Sequence, residues 1–427
     1  MSNKIKEVLK QALLEAKPSN EEISIIESHV KNFIEEFSRE LKILKIDAEI
    51  FIGGSFAKKT LIKKEKYDVD VFVRFDKKYI KENISELTHR ILKKIKLKHP
   101  INIIHGSRDY FKIDMESNFC FEIVPVIKVS NPKEAENITD LSYFHVNYAN
   151  KKIKGKMSED IILAKSFCHA NRIYGAESHI KGFSGYSLEL LIIYYKSFEK
   201  FIREIAKSKE DRIIIDIEKN YSNKKQIMMD MNSSKLESPI ILVDPTYKQR
   251  NALATLSKDV FEKFRNLCRE FLKSPNINFF RMKEIDFKNI EILARKKGHD
   301  FILLQISTDK QEGAVAGSKL LKFYNHIEDS IKKYFDVKEK GFYYHNKKSA
   351  ECFFVVHKKD KIIIKGPPIT MKEVEKFKKR HKNTLVKSGI VYAEEKINFD
   401  IKQFINQWQR DNKKIIKDMY ISDVRIF

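Results

Sequence analysis

Ile26, Val30, Phe33, Phe37 and Leu41 recur at helical spacing, which gathers their side chains on one face. The run Ser19-Asn20-Glu21-Glu22 just before them has the form of a capping box, so a helix starts there. The period then changes. Short runs of alternating or continuous apolar residues at 48–52 and 67–75 predict strands, separated by the glycine turn Gly53-Gly54-Ser55. Ile84, Leu87, Ile91 and Ile95 return to helical spacing, and strands are expected at 101–104, 110–115 and 119–129. Helix, strand, helix and several strands make a mixed α/β or α+β region of about 150 residues.

From 158 to 274 the pattern is mainly helical. Ser158-Glu159-Asp160 reads as a helix start, and Gly182-Phe183-Ser184-Gly185 precedes another helix. Residues 212–241 alternate apolar runs with Asn-rich turns, and 256–272 is amphipathic again. After Pro275 the pattern shifts to strands at 301–306, 342–345, 351–357 and 362–364, the last ended by Gly366-Pro367-Pro368. One long helix carries Leu320, Tyr324, Ile327, Ile331 and Tyr334. The expected domains are 1–155, 156–275 and 276–427.

Charge narrows the partners. Lys plus Arg number 83 against 59 Asp plus Glu, a formal net charge of +24. Such an excess attracts polyanions, nucleic acid first among them, although the abundance of Ile, Lys and Asn shows that a Lys-rich composition contributes. Cys120, Cys168, Cys268 and Cys352 stand far apart with no paired spacing, so neither a zinc site nor a disulfide framework is expected. No apolar run approaches the ~20 residues of a membrane span, and the first residues, MSNKIKEVLK, carry no apolar signal core. A soluble, cytoplasmic protein is expected.

The chemistry concentrates in Asp68-Val69-Asp70-Val71. On a strand Asp68 and Asp70 share one face while Val69 and Val71 enter the core. Two carboxylates so close tolerate each other best around a cation, and Mg²⁺ prefers such oxygen ligands. The Gly53-Gly54-Ser55 turn lets backbone N–H groups approach phosphates, with Lys58 and Lys59 at hand for neutralisation. Glu122, a lone acid within the apolar run 120–125, is the expected third carboxylate; Asp114 and Glu116 are weaker choices. Such a set serves two-metal transfer of a nucleotide to a hydroxyl.

A glycine–serine turn followed by Asp, an apolar residue and Asp resembles the polymerase-β-like nucleotidyltransferase superfamily, which spans poly(A) polymerases, oligoadenylate synthases and antibiotic nucleotidyltransferases. Further motifs narrow the resemblance. The segment from Gly54-Ser55 through Lys58 to Thr60-Leu61 resembles the G-S-x-x-R-x-T-x-L of archaeal-type (class I) CCA-adding enzymes. Glu122-Ile123-Val124-Pro125 resembles their D-h-V-P, and Asp140 to His145 their D-R-T-P-h-H. Ile173-Tyr174-Gly175, Lys181-Gly182-Phe183-Ser184-Gly185-Tyr186 with Glu189, Val243-Asp244-Pro245 and Arg250-Asn251-Ala252 are similar to the central part of that family. Gly366-Pro367-Pro368 and the segment on to Tyr392 are similar to its C-terminal part.

The resemblance implies an α+β multidomain protein: a polymerase-β-like nucleotidyltransferase head with a mixed sheet, a helical central domain, and an α+β C-terminal body and tail. It implies template-independent addition of C, C and A to the 3′ end of tRNA from CTP and ATP. Asp68, Asp70 and Glu122 become ligands of two Mg²⁺ ions. Gly54, Ser55, Lys58, His145, Lys165 and Tyr174 become nucleotide contacts, and Arg250 a base-selecting contact braced by Asp244. tRNA is expected to be gripped at its acceptor and T-arm region, and a homodimer is one assembly this allows. Glu122 and Lys58 depart from the family's usual Asp and Arg. A poly(A)- or uridylyl-type terminal transferase and an inactive RNA-binding homologue are the competing readings.

Each assignment has a plainer counterpart. His145 has the alternative of a hydrogen-bonded structural histidine, Lys165 of a helix-surface lysine, Tyr174 of a core-edge tyrosine and Arg250 of a helix-start arginine in a salt bridge. Phe342, Tyr343 and Tyr344 either stack on RNA or divide between core and surface. Trp408 is expected in packing. Lys376, Lys378, Lys379 and Arg380 either meet phosphates or form a solvated helix face.

Overall fold

The computed structural model describes every residue except Met1, Lys96 and Ser107. The chain divides into two compact units, Met1–Lys283 and Glu284–Phe427.

The first unit opens with α1 (Ser2–Ala16) and α2 (Asn20–Ile43). The capping box predicted for α2 is present: Ser19 accepts from the Glu22 N–H while the Glu22 carboxylate accepts from the Ser19 N–H. Then come β1 (Ala48–Ile52), a single helical turn α3 (Gly54–Ala57), β2 (Tyr67–Phe75), α4 (Ile84–Lys94), β3 (Ile101–Ile104), β4 (Tyr110–Asp114) and β5 (Phe119–Ile127). The five strands form one mixed sheet in the order β1-β2-β5-β4-β3, with β2 and β5 parallel and the other neighbours antiparallel. Ile26, Val30, Phe33, Phe37 and Leu41 are all buried. They share a core with Val69, Val71 and Val73 of β2, Ile91 of α4, Phe111 and Ile113 of β4, and Phe121 and Ile123 of β5. Each such large side chain removed from water contributes about 1.5–3 kcal/mol, so one face of the sheet is committed to the helices. The opposite face carries the polar residues of the same alternation.

The rest of this unit comprises α5 (Ser142–Lys152), α6 (Met157–Ala170), α7 (Gly185–Tyr195), α8 (Phe198–Lys207), β6 (Ile213–Asp216), α9 (Lys224–Asp230), β7 (Ile240–Asp244), β8 (Tyr247–Asn251) and α10 (Lys258–Lys273). A second core gathers α6, α7, α8 and α10 around Phe167, Phe201 and Phe264, and α1 joins it through Ile5 and Ala12. The first helix of the chain therefore packs into the helical core rather than against the mixed sheet.

The second unit comprises α11 (Phe287–Lys296), β9 (Asp300–Ser307), α12 (Ala314–Ile331), β10 (Phe335–Tyr344), β11 (Ser349–Lys358), β12 (Lys361–Pro368), α13 (Glu373–Arg380), β13 (Thr384–Lys387), β14 (Ile390–Lys396), α14 (Ile401–Asp411), α15 (Lys413–Asp418) and β15 (Asp423–Ile426). Its sheets run β10-β11-β9-β15 and β12-β14-β13. The expectation of one long helix was too sparse: α12 is joined by α14, whose Ile405 and Trp408 complete the core against Phe323. Strand β12 also continues through Gly366 to Pro368, with a register shift after Lys365. Phe342 and Tyr343 pack on Tyr324 and Phe353, and Tyr344 bonds to the Gly313 backbone. No described helix is long and apolar enough to cross a membrane.

Candidate active site

The parallel pairing of β2 with β5 sets Asp70 opposite Glu122 and Asp68 opposite Cys120. On the far side of β5, antiparallel β4 sets Lys112 opposite Glu122 and Asp114 opposite Cys120. Residues two apart on a strand share a face, so two polar rows cross the sheet: Lys112–Glu122–Asp70 and Asp114–Cys120–Asp68. Val69, Val71, Phe121, Ile123, Phe111 and Ile113 lie behind them, each at most 2 % exposed. Glu122 is thus on the same face as Asp68 and Asp70. Ligand atoms of Asp68, Cys120 and Glu122 all lie within 4.8 Å of one another. The Cys120 thiol donates to Asp68 Oδ1 at 3.3 Å.

Gly53 and Gly54 make room for this arrangement. The Gly53 N–H donates to the Asp70 carbonyl at 2.9 Å. Gly54 has φ +61°, and a Cβ there would overlap the Asp70 carboxylate. Glycine answers both demands, the left-handed backbone and the close approach. The bend then becomes α3, a helical turn rather than the plain tight turn expected.

The electrostatics of the face follow from crowding. Burial, then the charge of Glu122, pushes Asp70 up to about 7. Burial and then Asp68 raise Glu122 in the same way. Carboxylates held together at such cost are fit to bind a divalent cation. Asp68 and Glu122, together with Cys120, form a group that could hold one, and Asp70 shares their face. Such an ion would supply positive charge able to stabilise anionic groups brought to this face.

Lys58, at the end of α3, is buried and bonds to Glu189 Oε2 at 2.6 Å. Lys165 of α6 reaches the other oxygen of Glu189 at 2.8 Å and Thr60 Oγ1 at 2.8 Å. Burial by itself would raise Glu189, but the two lysines override it and hold this carboxyl at about 2. Lys165 is therefore no helix-surface lysine; it is 1 % exposed. Ser55, Asp68, Lys165 and Tyr174 line one small cleft. Gly185 lets Tyr174 lie close to the start of α7: a Cβ there would stand 2.9 Å from the Tyr174 hydroxyl and 3.6 Å from Lys165 Cε.

A second cluster is built on Asp244, fully buried at the end of β7. Its carboxylate accepts from Arg250 at 2.5 Å, from the Thr246 hydroxyl at 2.8 Å and from the Tyr186 hydroxyl at 3.1 Å, and His145 Nε2 lies 3.2 Å away. Burial opposes the charge on Asp244, but the His145 contact and Arg250 keep it well below the usual carboxylate range. His145 is itself lowered, chiefly by burial. Arg250 sits on β8, not at a helix start. The two clusters meet through Tyr186, whose ring stacks on His145 at 4.1 Å and lies 6.0 Å from the Lys58 ammonium.

Lys112, Cys120, Tyr186 and Glu189, like Thr60 and Thr246, had no role assigned from the sequence. Glu189 carried the same signal as Glu122, a single acid inside an apolar run, here Leu188 to Ile193. Lys112 alternates with buried Phe111 and Ile113, which sets it on the acid face of β4. Asp114 shares that face but pairs with Lys66, and Glu116 is exposed in the turn before β5. In the second unit Lys376, Lys378, Lys379 and Arg380 are exposed.

Residues 159–281 match the family model of the tRNA nucleotidyltransferase second domain, and residues 3–149 match that of the second messenger oligonucleotide or dinucleotide synthetase domain. The chain is 29 % identical over 408 residues to the CCA-adding enzyme of Methanocaldococcus jannaschii, covering 91 % of this chain and 87 % of that one. It is 40 % identical over 242 residues to the CCA-adding enzyme of Nanoarchaeum equitans, covering 57 % of this chain and 59 % of the relative. Against the CCA-adding enzyme of Archaeoglobus fulgidus it is 31 % identical over 303 residues, 69 % of this chain and 63 % of the relative. The last two alignments thus span less than two thirds of those relatives. Among solved structures, a cytoplasmic RNA terminal U-transferase superposes with TM-score 0.50 at 14 % identity, covering 66 % of this chain and all of that one. The Cid1 poly(U) polymerase gives 0.50 at 14 %, covering 65 % and 98 %. These likenesses identify the fold as that of a polymerase-β-like nucleotidyltransferase.

Proposed function

We propose that this chain, a relative of the archaeal-type CCA-adding enzymes along nine-tenths of its length, adds C, C and A to the 3′ end of tRNA from CTP and ATP, without a template and with release of diphosphate. The observation that carries this reading is the convergence of Asp68, Asp70 and Glu122 on one sheet face beside Gly54. The cofactor we assign is Mg²⁺, two ions per site, held by those three carboxylates. One bond forms, from the RNA 3′ oxygen to the α-phosphorus, and one breaks, from that phosphorus to the leaving diphosphate.

We assign the roles as follows. Gly54 and Ser55 receive the triphosphate, with Lys165 and Tyr174 lining the same cleft. Lys58 and Lys165 together exceed the single charge of Glu189 that they share, which leaves a net positive charge beside the cleft. Arg250 is fixed by Asp244 and stacked near Tyr186; a guanidinium held this firmly can hydrogen-bond the acceptor atoms that C and A present. The domain roles we assign are a catalytic head at 1–155, a helical neck at 156–275 and a tRNA-binding body and tail at 276–427 that holds the acceptor and T-arm. A cytoplasmic location suits this substrate.

The test is an extension assay on tRNA transcripts lacking their last three nucleotides, with each nucleotide alone and in pairs. CTP then ATP should add three residues and stop. Unlimited addition of one nucleotide to generic RNA would favour a poly(A)- or uridylyl-type transferase. RNA binding with no extension under any nucleotide would favour the inactive homologue. Asp68→Ala together with Asp70→Ala should abolish extension and leave tRNA binding intact; undiminished extension would refute the metal assignment.

A further inference from the structure

Lys112 has no place in the transfer chemistry just described, yet it stands on β4 beside the acids of β2 and β5. Its ammonium is 3.4 Å from Glu122 Oε1 and 3.6 Å from Asp68 Oδ1, so it bridges carboxylates from two different strands. Its side chain is 30 % exposed, which leaves most of its stem against the sheet. Lys64 reaches the other oxygen of Asp68 at 3.7 Å. These lengths differ from those of the buried network, where Lys165 and Lys58 bond to Glu189 at 2.8 and 2.6 Å. Contacts near 3.5 Å are Coulombic rather than firm hydrogen bonds. The Lys112 hydrogen bond to Glu122 Oε1 is long, so the acids are neutralised while their lone pairs are held only weakly, and those lone pairs are what a divalent ion needs.

We infer that Lys112 is a resident counter-ion of the carboxylate triad: it holds Asp68 and Glu122 together when no divalent ion is bound and withdraws, or is outcompeted, when one enters. It is a positioning residue acting through the two acids. The inference rests on the nucleotidyl-transfer reading of this face.

The consequence is a trade-off with opposite signs. Removing a positive charge ~4 Å from the ligand oxygens strengthens their attraction for a second cation. It also leaves three crowded carboxylates less compensated, so the metal-free protein is less stable. A role in packing alone would move both quantities the same way, towards weaker metal binding and lower stability.

The experiment uses the full chain and Mn²⁺ as probe, with free Mn²⁺ measured by electron paramagnetic resonance during titration. A thermal melt in chelator accompanies it. Lys112→Met keeps the aliphatic stem and removes the charge. It should tighten Mn²⁺ binding about tenfold and lower the metal-free melting temperature by about 3 °C, with saturating Mn²⁺ restoring most of that loss. Lys112→Arg should return both quantities to wild-type values. Should Lys112→Met fail to fold, Lys112→Gln carries the same expectation. Unchanged or weaker Mn²⁺ binding in the neutral variants, with wild-type binding intact and sensitive to Asp70→Asn, would overturn the role of Lys112 and leave the transferase reading standing. No Mn²⁺ binding by the wild-type chain, or binding indifferent to Asp70→Asn, would overturn both.

Discussion

Asp70, partly exposed, and Glu189, fully buried, are both carboxylates within the first unit, and their surroundings drive them in opposite directions. Asp70, opposite Glu122 across a parallel strand pair, is pushed up to about 7 by burial and that like charge. Glu189, clasped by Lys58 and Lys165, is held at about 2 although burial opposes it. A buried acid that has its cations already is part of the framework. An acid set beside other acids is left wanting a cation, and perturbed groups of that kind mark working sites. The same side-chain chemistry thus serves as brace in one place and, in the proposed function, as ligand in the other.

The largest test of this contrast is Asp70→Asn. It should lower the extension rate by about three to four powers of ten, the loss expected when a metal-mediated charge stabilisation of several kcal/mol disappears. Because the substitution relieves repulsion, the metal-free protein should melt no lower than the wild type; a clear drop in melting temperature would make Asp70 a brace after all. Glu189→Gln should do the reverse, costing about 3–5 kcal/mol in urea unfolding by leaving two buried lysines with one neutral partner. Its pH dependence has a definite sign. The folded-state value of Glu189 lies below its ordinary 4.5, so its contribution is complete above about 4.5 and fades as the pH falls towards 2. The stability gap between wild type and Glu189→Gln should close over that window. A gap independent of pH would mean that charge is not what Glu189 contributes.

Gly54→Ala sharpens the contrast from the side of the backbone. The position has φ +61° and its new methyl would overlap the Asp70 carboxylate, so a cost of about 1–3 kcal/mol is expected, accompanied by lost extension. An active, fully stable alanine variant would show that the fit against Asp70 is not needed. The smallest effect is expected at Arg250→Lys. Asp244 would keep a cation, but the fixed planar fork is lost. Discrimination among nucleotides should relax by about tenfold with little change in melting temperature. Unaltered selectivity in single-nucleotide extension assays would remove Arg250 from base selection.

Much of the framework is legible in the order of residues alone. The helical stripe from Ile26 to Leu41 and its capping box form α2, and the alternation around Asp68 and Asp70 forms β2, because burial periodicity and local capping are encoded within a few neighbouring residues. Unit two's α14 is legible too, although the expectation of one long helix misses it: Asp400 and Gln403 form a capping box, and Ile401, Phe404, Ile405 and Trp408 recur at helical spacing; only the contact of Trp408 with Phe323 needed the fold. Glu189 and Lys112 are hard to place from sequence for a related reason. A charge in an apolar run shows that a partner exists, but it does not show which one. Glu189 finds Lys58 from 131 positions away in the chain.

The order of apolar and polar residues by itself determined that Asp68 and Asp70 share a face and that Val69 and Val71 lie behind them, for side chains on a strand must alternate. It could not determine that β2 and β5 run parallel with Asp70 opposite Glu122. Register is settled by how two strands bury their inner faces against the same helices, and a slip of one residue would have turned Glu122 into the core. That pairing, together with the packing that closes Lys58 and Lys165 around Glu189, was decided only in the folded protein, where charges distant in sequence come within ion-pair distance and low solvent access makes their signs matter.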